Sequence, residues 1–211
     1  MYLFSMDNPF FRFMGRAVDL VWINLMTLIC CIPVITAGAA ISAMYKILLE
    51  IVAGEEGALT RGYFRAFREN LKDSTKIWIP SLAVFLVLFS NGYLLYQGVL
   101  EQMGILQTLA GISIGIIGCT LLVYLQYVLA LTARYDAGLK QTMKNAILLE
   151  AAFFPRSLCI LIILFFSVAL MMLSDIFLWF WFLYGLSIPG YFIAMLLQGV
   201  FLKTDSIQRE V

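Results

Sequence analysis

Five stretches of the chain carry no charged residue: 26 positions between Asp19 and Lys46, 24 between Lys76 and Glu101, 32 between Glu101 and Arg134, 18 between Arg156 and Asp175, and 27 between Asp175 and Lys203. A helix needs ~20 consecutive apolar residues to cross ~30 Å of hydrocarbon, so each run reads as a crossing. The first run is interrupted at Cys31-Ile32-Pro33. Proline removes a ladder hydrogen bond and pushes the preceding residue out of helical geometry, so this run divides into two helices joined by a tight hairpin. The pattern therefore predicts an all-α, polytopic transmembrane helix bundle of about six helices, forming a single integral membrane domain over 1–211. The predicted spans are about 17–32, 34–53, 77–97, 105–133, 156–173 and 176–202, with amphipathic cytoplasmic connections at 54–76 and 134–155.

Between Thr60 and Asp73 the apolar Tyr63, Phe64, Phe67 and Leu71 recur at helical spacing, and Arg61, Arg65, Arg68 and Lys72 fill the other positions. This reads as a basic amphipathic helix, either resting on anionic headgroups or docking a cytoplasmic partner. The connection 134–155 repeats the theme with Leu139, Met143, Ala146 and Ile147. Asn8 followed by Pro9 marks a helix start, and the aromatics after it suggest a stretch along the membrane surface. With the N-terminus inside, all 14 basic residues fall on one face and the outer turns carry only Glu101 and Asp175, which places both termini in the cytoplasm under the positive-inside rule. A five-span arrangement, with Pro33 as a kink and the N-terminus outside, would leave Arg12 and Arg16 on the wrong face.

Composition sharpens this picture. The chain is 63% hydrophobic and 13% charged, against roughly 45–50% and about 25% in soluble domains, so lipid is the expected solvent. A net charge of +1 gives no basic field to hold nucleic acid. Cys30, Cys31, Cys119 and Cys159 lie in apolar runs and the chain has no histidine, so no metal site or cofactor is expected and the cysteines read as small buried hydrophobes. The start lacks the basic and short apolar regions of a cleavable signal peptide. Phosphate-binding Gly-Lys-Ser loops, Gly-x-Ser-x-Gly and His-Glu-x-x-His are all missing, and Glu55-Glu56 reads as an exposed turn. No catalytic residues are expected.

Ionisable and polar residues within spans are the remaining candidates. Lys46 and Glu50 share one helix face, where they pair weakly and reach toward the inner interface. Asn24, Asn91 and Gln126, with Thr27, Gln97, Thr120 and Gln198, would either line a solute path or bond between helices. Gly111, Gly115 and Gly118 form a small-xxx-small run suited to close packing inside the bundle.

The segments Leu3-Phe-Ser-Met-Asp-Asn-Pro-Phe-Phe-Arg-Phe-Met-Gly-Arg16, Cys30-Cys-Ile-Pro-Val-Ile-Thr-Ala-Gly-Ala39 and Gly62-Tyr-Phe-Arg-Ala-Phe-Arg-Glu-Asn70 resemble the YesL-like family of bacterial membrane proteins, a domain of unknown function. The resemblance implies the cytoplasmic membrane of a Gram-positive bacterium and a setting near carbohydrate ABC transporters and sensor systems. Glu150-Ala151-Ala152 is similar to the opening of the motif by which importer permeases meet their ATPase, but Arg156 stands where that motif has glycine. The expectation is a non-enzymatic accessory subunit associated with carbohydrate uptake, contacting transporter subunits or a membrane sensor kinase through Phe64, Arg65, Phe67 and Arg68. The alternative is a small transporter or permease component working through Asn24, Asn91 and Gln126.

Overall fold

The computed structural model describes residues 9–55, 57–97, 104–135 and 138–209, and among them every regular element is a helix. In chain order these are α1 (Pro9–Cys31), a 3-10 turn (Val34–Thr36), α2 (Ala37–Ala53), α3 (Leu59–Tyr96), α4 (Ile105–Arg134), α5 (Leu139–Ala152), α6 (Phe154–Leu173), α7 (Asp175–Tyr184) and α8 (Ser187–Arg209). Five helices are long and apolar enough to cross a membrane, and α7 with α8 adds a sixth as one span bent by 52°. The chain is a polytopic helical membrane bundle.

Helix α1 starts at Pro9, as the Asn8–Pro9 pair predicts, although Asn8 itself lies outside the described residues. It runs unbroken to Cys31, so the stretch expected along the surface continues the first span. At Pro33 the backbone is extended (φ −76°, ψ 109°), and the Thr36 hydroxyl closes the turn by donating to the carbonyls of Cys30 and Pro33. Small residues then let α2 enter a crowded site. A Cβ added to Gly38 would lie 2.6 Å from the Cβ of Trp78, and Ala39, Ala40 and Ala43 are fully buried. Helix α2 ends at Gly54, whose φ of 77° is a left-handed conformation natural to glycine.

Helix α3 differs from expectation. The basic segment 60–73 is continuous with the span at 77–97, giving one helix of 38 residues, ~57 Å long at 1.5 Å per residue. Its stripe divides: Tyr63 is buried, its hydroxyl donating to the Ala40 carbonyl at 3.2 Å, and Phe67 packs on the core, whereas Phe64 and Leu71 are exposed. Packing on α2 holds the segment in line with the rest of α3. Pro80 lies within α3 without ending it.

The tip of the α1–α2 hairpin stops halfway along α3, where the Trp78 indole N–H donates to the Val34 carbonyl at 2.8 Å. Beyond it, outer α3 and α4 continue as a two-helix arm, tied near its end by Gln107 Nε2 to the Leu95 carbonyl. Gly111 and Gly115 are exposed on this arm with open space around them, so they do not pack inside the bundle as the sequence suggested. The core lies at the other end of α4, where Val123, Tyr127, Val128 and Leu129 meet α2 and the Ile193, Leu197 and Val200 side of α8. None of the cysteines is buried; three are partly covered and Cys159 is exposed, contrary to their reading as core residues.

The sixth predicted span, 176–202, is broken between Tyr184 and Ser187. A break in a span frees backbone groups that lipid cannot satisfy. Asn24, fully buried in α1, takes three of them: its amide donates to the Phe182 carbonyl at 2.8 Å, and its oxygen accepts from the N–H groups of Leu186 at 2.9 Å and Ser187 at 3.1 Å.

Candidate functional site: a polar cavity among α2, α3, α4 and α5

Helical spacing brings charge to one place. Lys46 and Glu50 are four apart on α2, and Arg65, Glu69 and Asp73 are four apart on α3, so each set forms a single stripe. Antiparallel packing of the two helices turns the stripes toward each other, with Thr132 of α4 and Thr142 of α5 closing the far side. The result is a cavity of about 720 Å³. Smaller cavities of about 370 and 310 Å³ adjoin it, and Glu50 lines all three.

The charges around the cavity are loosely tied. Lys46 Nζ lies 3.8 Å from Glu50 Oε1, with the side chains 41% and 30% exposed, too far for a good hydrogen bond. Arg65 Nε donates to Glu69 Oε1 at 2.9 Å and Lys76 Nζ to Asp73 Oδ1 at 2.9 Å, both on the exposed side of α3. Such pairs contribute only ~0–1 kcal/mol each, so a polar partner can exchange them at small cost. Lining of both signs with two threonine hydroxyls suits a charged or zwitterionic segment better than an apolar one. A second cavity of about 410 Å³ lies among α6, α7 and α8 and is apolar, lined by Phe166, Phe180, Trp181, Tyr184 and Phe192.

Of the residues singled out in the sequence, the structure brings Lys46, Glu50 and Arg65 to this cavity. Phe64 is half exposed, its ring edge-on to Tyr63, while Phe67 packs on the core and Arg68 is exposed. The three residues named for a solute path go to different partners. Asn24 holds the α7–α8 break, Asn91 donates to the Val87 carbonyl of its own helix, and Gln126 accepts from the Tyr45 hydroxyl. Glu69, Asp73, Thr132 and Thr142 were missed; the four-residue spacing from Arg65 through Glu69 to Asp73 is the signal that could have found two of them.

The stripe expected on α5 divides between two surroundings. Ala146 is buried and Leu139 packs on the core, whereas Met143, Ile147 and Leu148 are exposed. Near its end, partial burial pushes the Glu150 carboxyl up to about 7, beside Tyr124 and Tyr127 of α4.

Residues 20–92 match the model of a family described as a protein of unknown function, DUF624, which agrees with the YesL-like resemblance read from the sequence. The matched stretch is about a third of the chain and contains α2 with the charged half of α3, hence Lys46, Glu50, Arg65, Glu69 and Asp73. No curated protein and no solved structure matches the chain.

Proposed function

We propose that this chain is a non-enzymatic accessory subunit of the cytoplasmic membrane, receiving a polar segment of a partner protein in the cavity among α2, α3, α4 and α5. One observation carries the reading: a cavity of about 720 Å³, lined by weakly paired charges from two helices, within the stretch that matches the family. Support for a cytoplasmic opening comes from the crowding of basic residues at this end of the bundle, including Arg61, Arg65, Arg68, Lys72 and Lys140. The family resemblance supplies the setting, a Gram-positive bacterium and an ABC transporter or sensor system for carbohydrate uptake. The transporter alternative needs Asn24, Asn91 and Gln126 on one path, whereas Asn24 bonds across to the α7–α8 break, Asn91 to its own helix and Gln126 to Tyr45 of α2.

A photo-crosslinker placed at Glu69 in the full-length chain, activated in native membranes, is expected to capture a protein partner in stoichiometric amounts. Exchanging the charges with Arg65→Glu and Glu69→Arg should reduce that yield several-fold. Capture of lipid alone, or solute flux through vesicles holding only this chain, would sink the accessory reading.

A further inference from the structure

Where α3 borders the polar cavity, its outward side is basic. Residues 61–67 and 68–74 repeat a pattern seven residues long, in which Arg61 matches Arg68, Phe64 matches Leu71 and Arg65 matches Lys72. At 3.6 residues per turn these six side chains share one side of the helix. All six are exposed, whereas Tyr63, Ala66 and Ser74 on the opposite side are buried. Packing on α2 thus fixes one side of α3 and presents the other as a ridge.

Most of the ridge's charge is unpaired. Arg65 is bonded to Glu69, but Arg61, Arg68 and Lys72 enter no ion pair among the described residues. One edge is apolar: Phe64 is 50% and Leu71 37% exposed, and the half-exposed Trp22 of α1 adjoins it, its indole N–H donating to the Thr60 hydroxyl at 3.0 Å. The other edge is acidic, formed by Glu69 and Asp73, which line the cavity.

A cationic ridge with an apolar edge attracts an anionic membrane surface or an acidic protein helix, and its shape and borders decide between them. Arg61 and Lys72 stand ~16 Å apart along α3, which continues in line into its apolar half. A single headgroup layer, roughly 5–8 Å deep, does not reach the whole ridge. Its uniform negative charge would also meet Glu69 and Asp73 and be repelled along that edge. A helix laid along α3 matches the ridge throughout. Acids recurring every seven residues meet Arg61 with Arg68 and Arg65 with Lys72, and apolar side chains meet Phe64 and Leu71, leaving Glu69 unopposed. We infer that the partner received at the cavity carries an acidic amphipathic helix that docks along Arg61, Phe64, Arg65, Arg68, Leu71 and Lys72; this rests on the accessory reading above.

A photo-crosslinker at Leu71 of the full-length chain, activated in native membranes with the captured peptide sequenced, tests this beside the one at Glu69. The peptide should belong to the protein that Glu69 captures and should carry Asp or Glu at spacings of three, four and seven. Arg61→Glu with Arg68→Glu should cut its yield about fivefold, as the loss of two exposed ion pairs implies. Replacing the peptide's acids with lysine should restore the yield in that variant. Lys140→Glu, an exposed cation of α5 outside the ridge, should leave it unchanged. Should the double variant fail to fold, Lys72→Glu alone should show a smaller loss. Capture from Glu69 but not from Leu71 would overturn this inference and leave the accessory reading standing, whereas capture from neither would remove both. Phospholipid at Leu71, a peptide without that acidic pattern, or an equal loss in Lys140→Glu would overturn it too.

Discussion

The inner core around α2 and the outer arm of α3 and α4 draw on the same small and apolar residues, yet the fold uses them differently. In α2, Gly38, Ala39, Ala40, Ser42 and Ala43 are small where Trp78, Tyr63 and α4 press against the helix; the Ser42 hydroxyl even reaches the Leu129 carbonyl at 3.1 Å. On the arm, Gly111 and Gly115 touch nothing, and Ile112, Ile116, Val87 and Phe89 face outward. Apolar character in a membrane chain therefore says little about packing, because lipid and protein interior reward it equally. Hydrogen bonds separate the regions better. The core joins helices far apart in sequence, whereas Asn91, Ser113 and Thr120 on the arm bond carbonyls four residues back in their own helices.

The sharpest test of this contrast exchanges the same residue in both places. Asn24→Leu leaves three backbone groups at the α7–α8 break unsatisfied, and at roughly 1–3 kcal/mol each the loss should exceed about 3 kcal/mol. Asn91→Leu should cost less than ~0.5 kcal/mol, as exposed substitutions usually do. Thermal unfolding in detergent, followed by circular dichroism, reads both. Next in size is Gly38→Ala, whose new methyl meets Trp78 at 2.6 Å, so overpacking should cost about 2 kcal/mol. Gly115→Ala should be neutral or stabilise the arm by at most ~1 kcal/mol through helix propensity. If the two glycine variants melted together, the division between core and arm would be wrong.

The smallest effect concerns the core's watery edge, where Glu150 of α5 faces Tyr124 and Tyr127 of α4, with Arg156 of α6 also near Tyr127. Burial raises this carboxyl from 4.5 to about 7, so the unfolded chain loses its proton first. Stability should fall as pH rises through that interval and then level off. Discounted for a half-solvated group, the loss is on the order of 1 kcal/mol. Glu150→Gln should remove this slope and exceed the parent's stability above pH 7, as measured by unfolding midpoints from pH 4.5 to 8.

Much of this architecture was legible in the charge-free runs, because each helix that crosses lipid must be long and apolar on its own account. Pro33 announced the hairpin correctly. Pro80 did not announce anything, because neighbouring turns of α3 carry the helix past it. Continuity of the basic segment with its span stayed hidden, since a run of arginines looks like the end of a membrane helix when the burial of Tyr63 against α2 is unknown. The α7–α8 break had Gly185 and Pro189 as local signs, but what makes it tolerable is Asn24, more than 150 residues away. Half the cavity followed from spacing along α2 and α3; Thr132 and Thr142 depended on how α4 and α5 dock, which no local pattern encodes.

Because α3 is one rod, the arm and the cavity are mechanically a single lever. Pro80 lies four residues beyond Lys76, near the midpoint, and gives the rod its weakest joint there. With about 24 Å of helix between Pro80 and Tyr96, a tilt of ~10° at this joint displaces the far end by ~4 Å. If the joint holds, the same tilt swings Arg65 and Glu69 against α2 and alters the cavity's width.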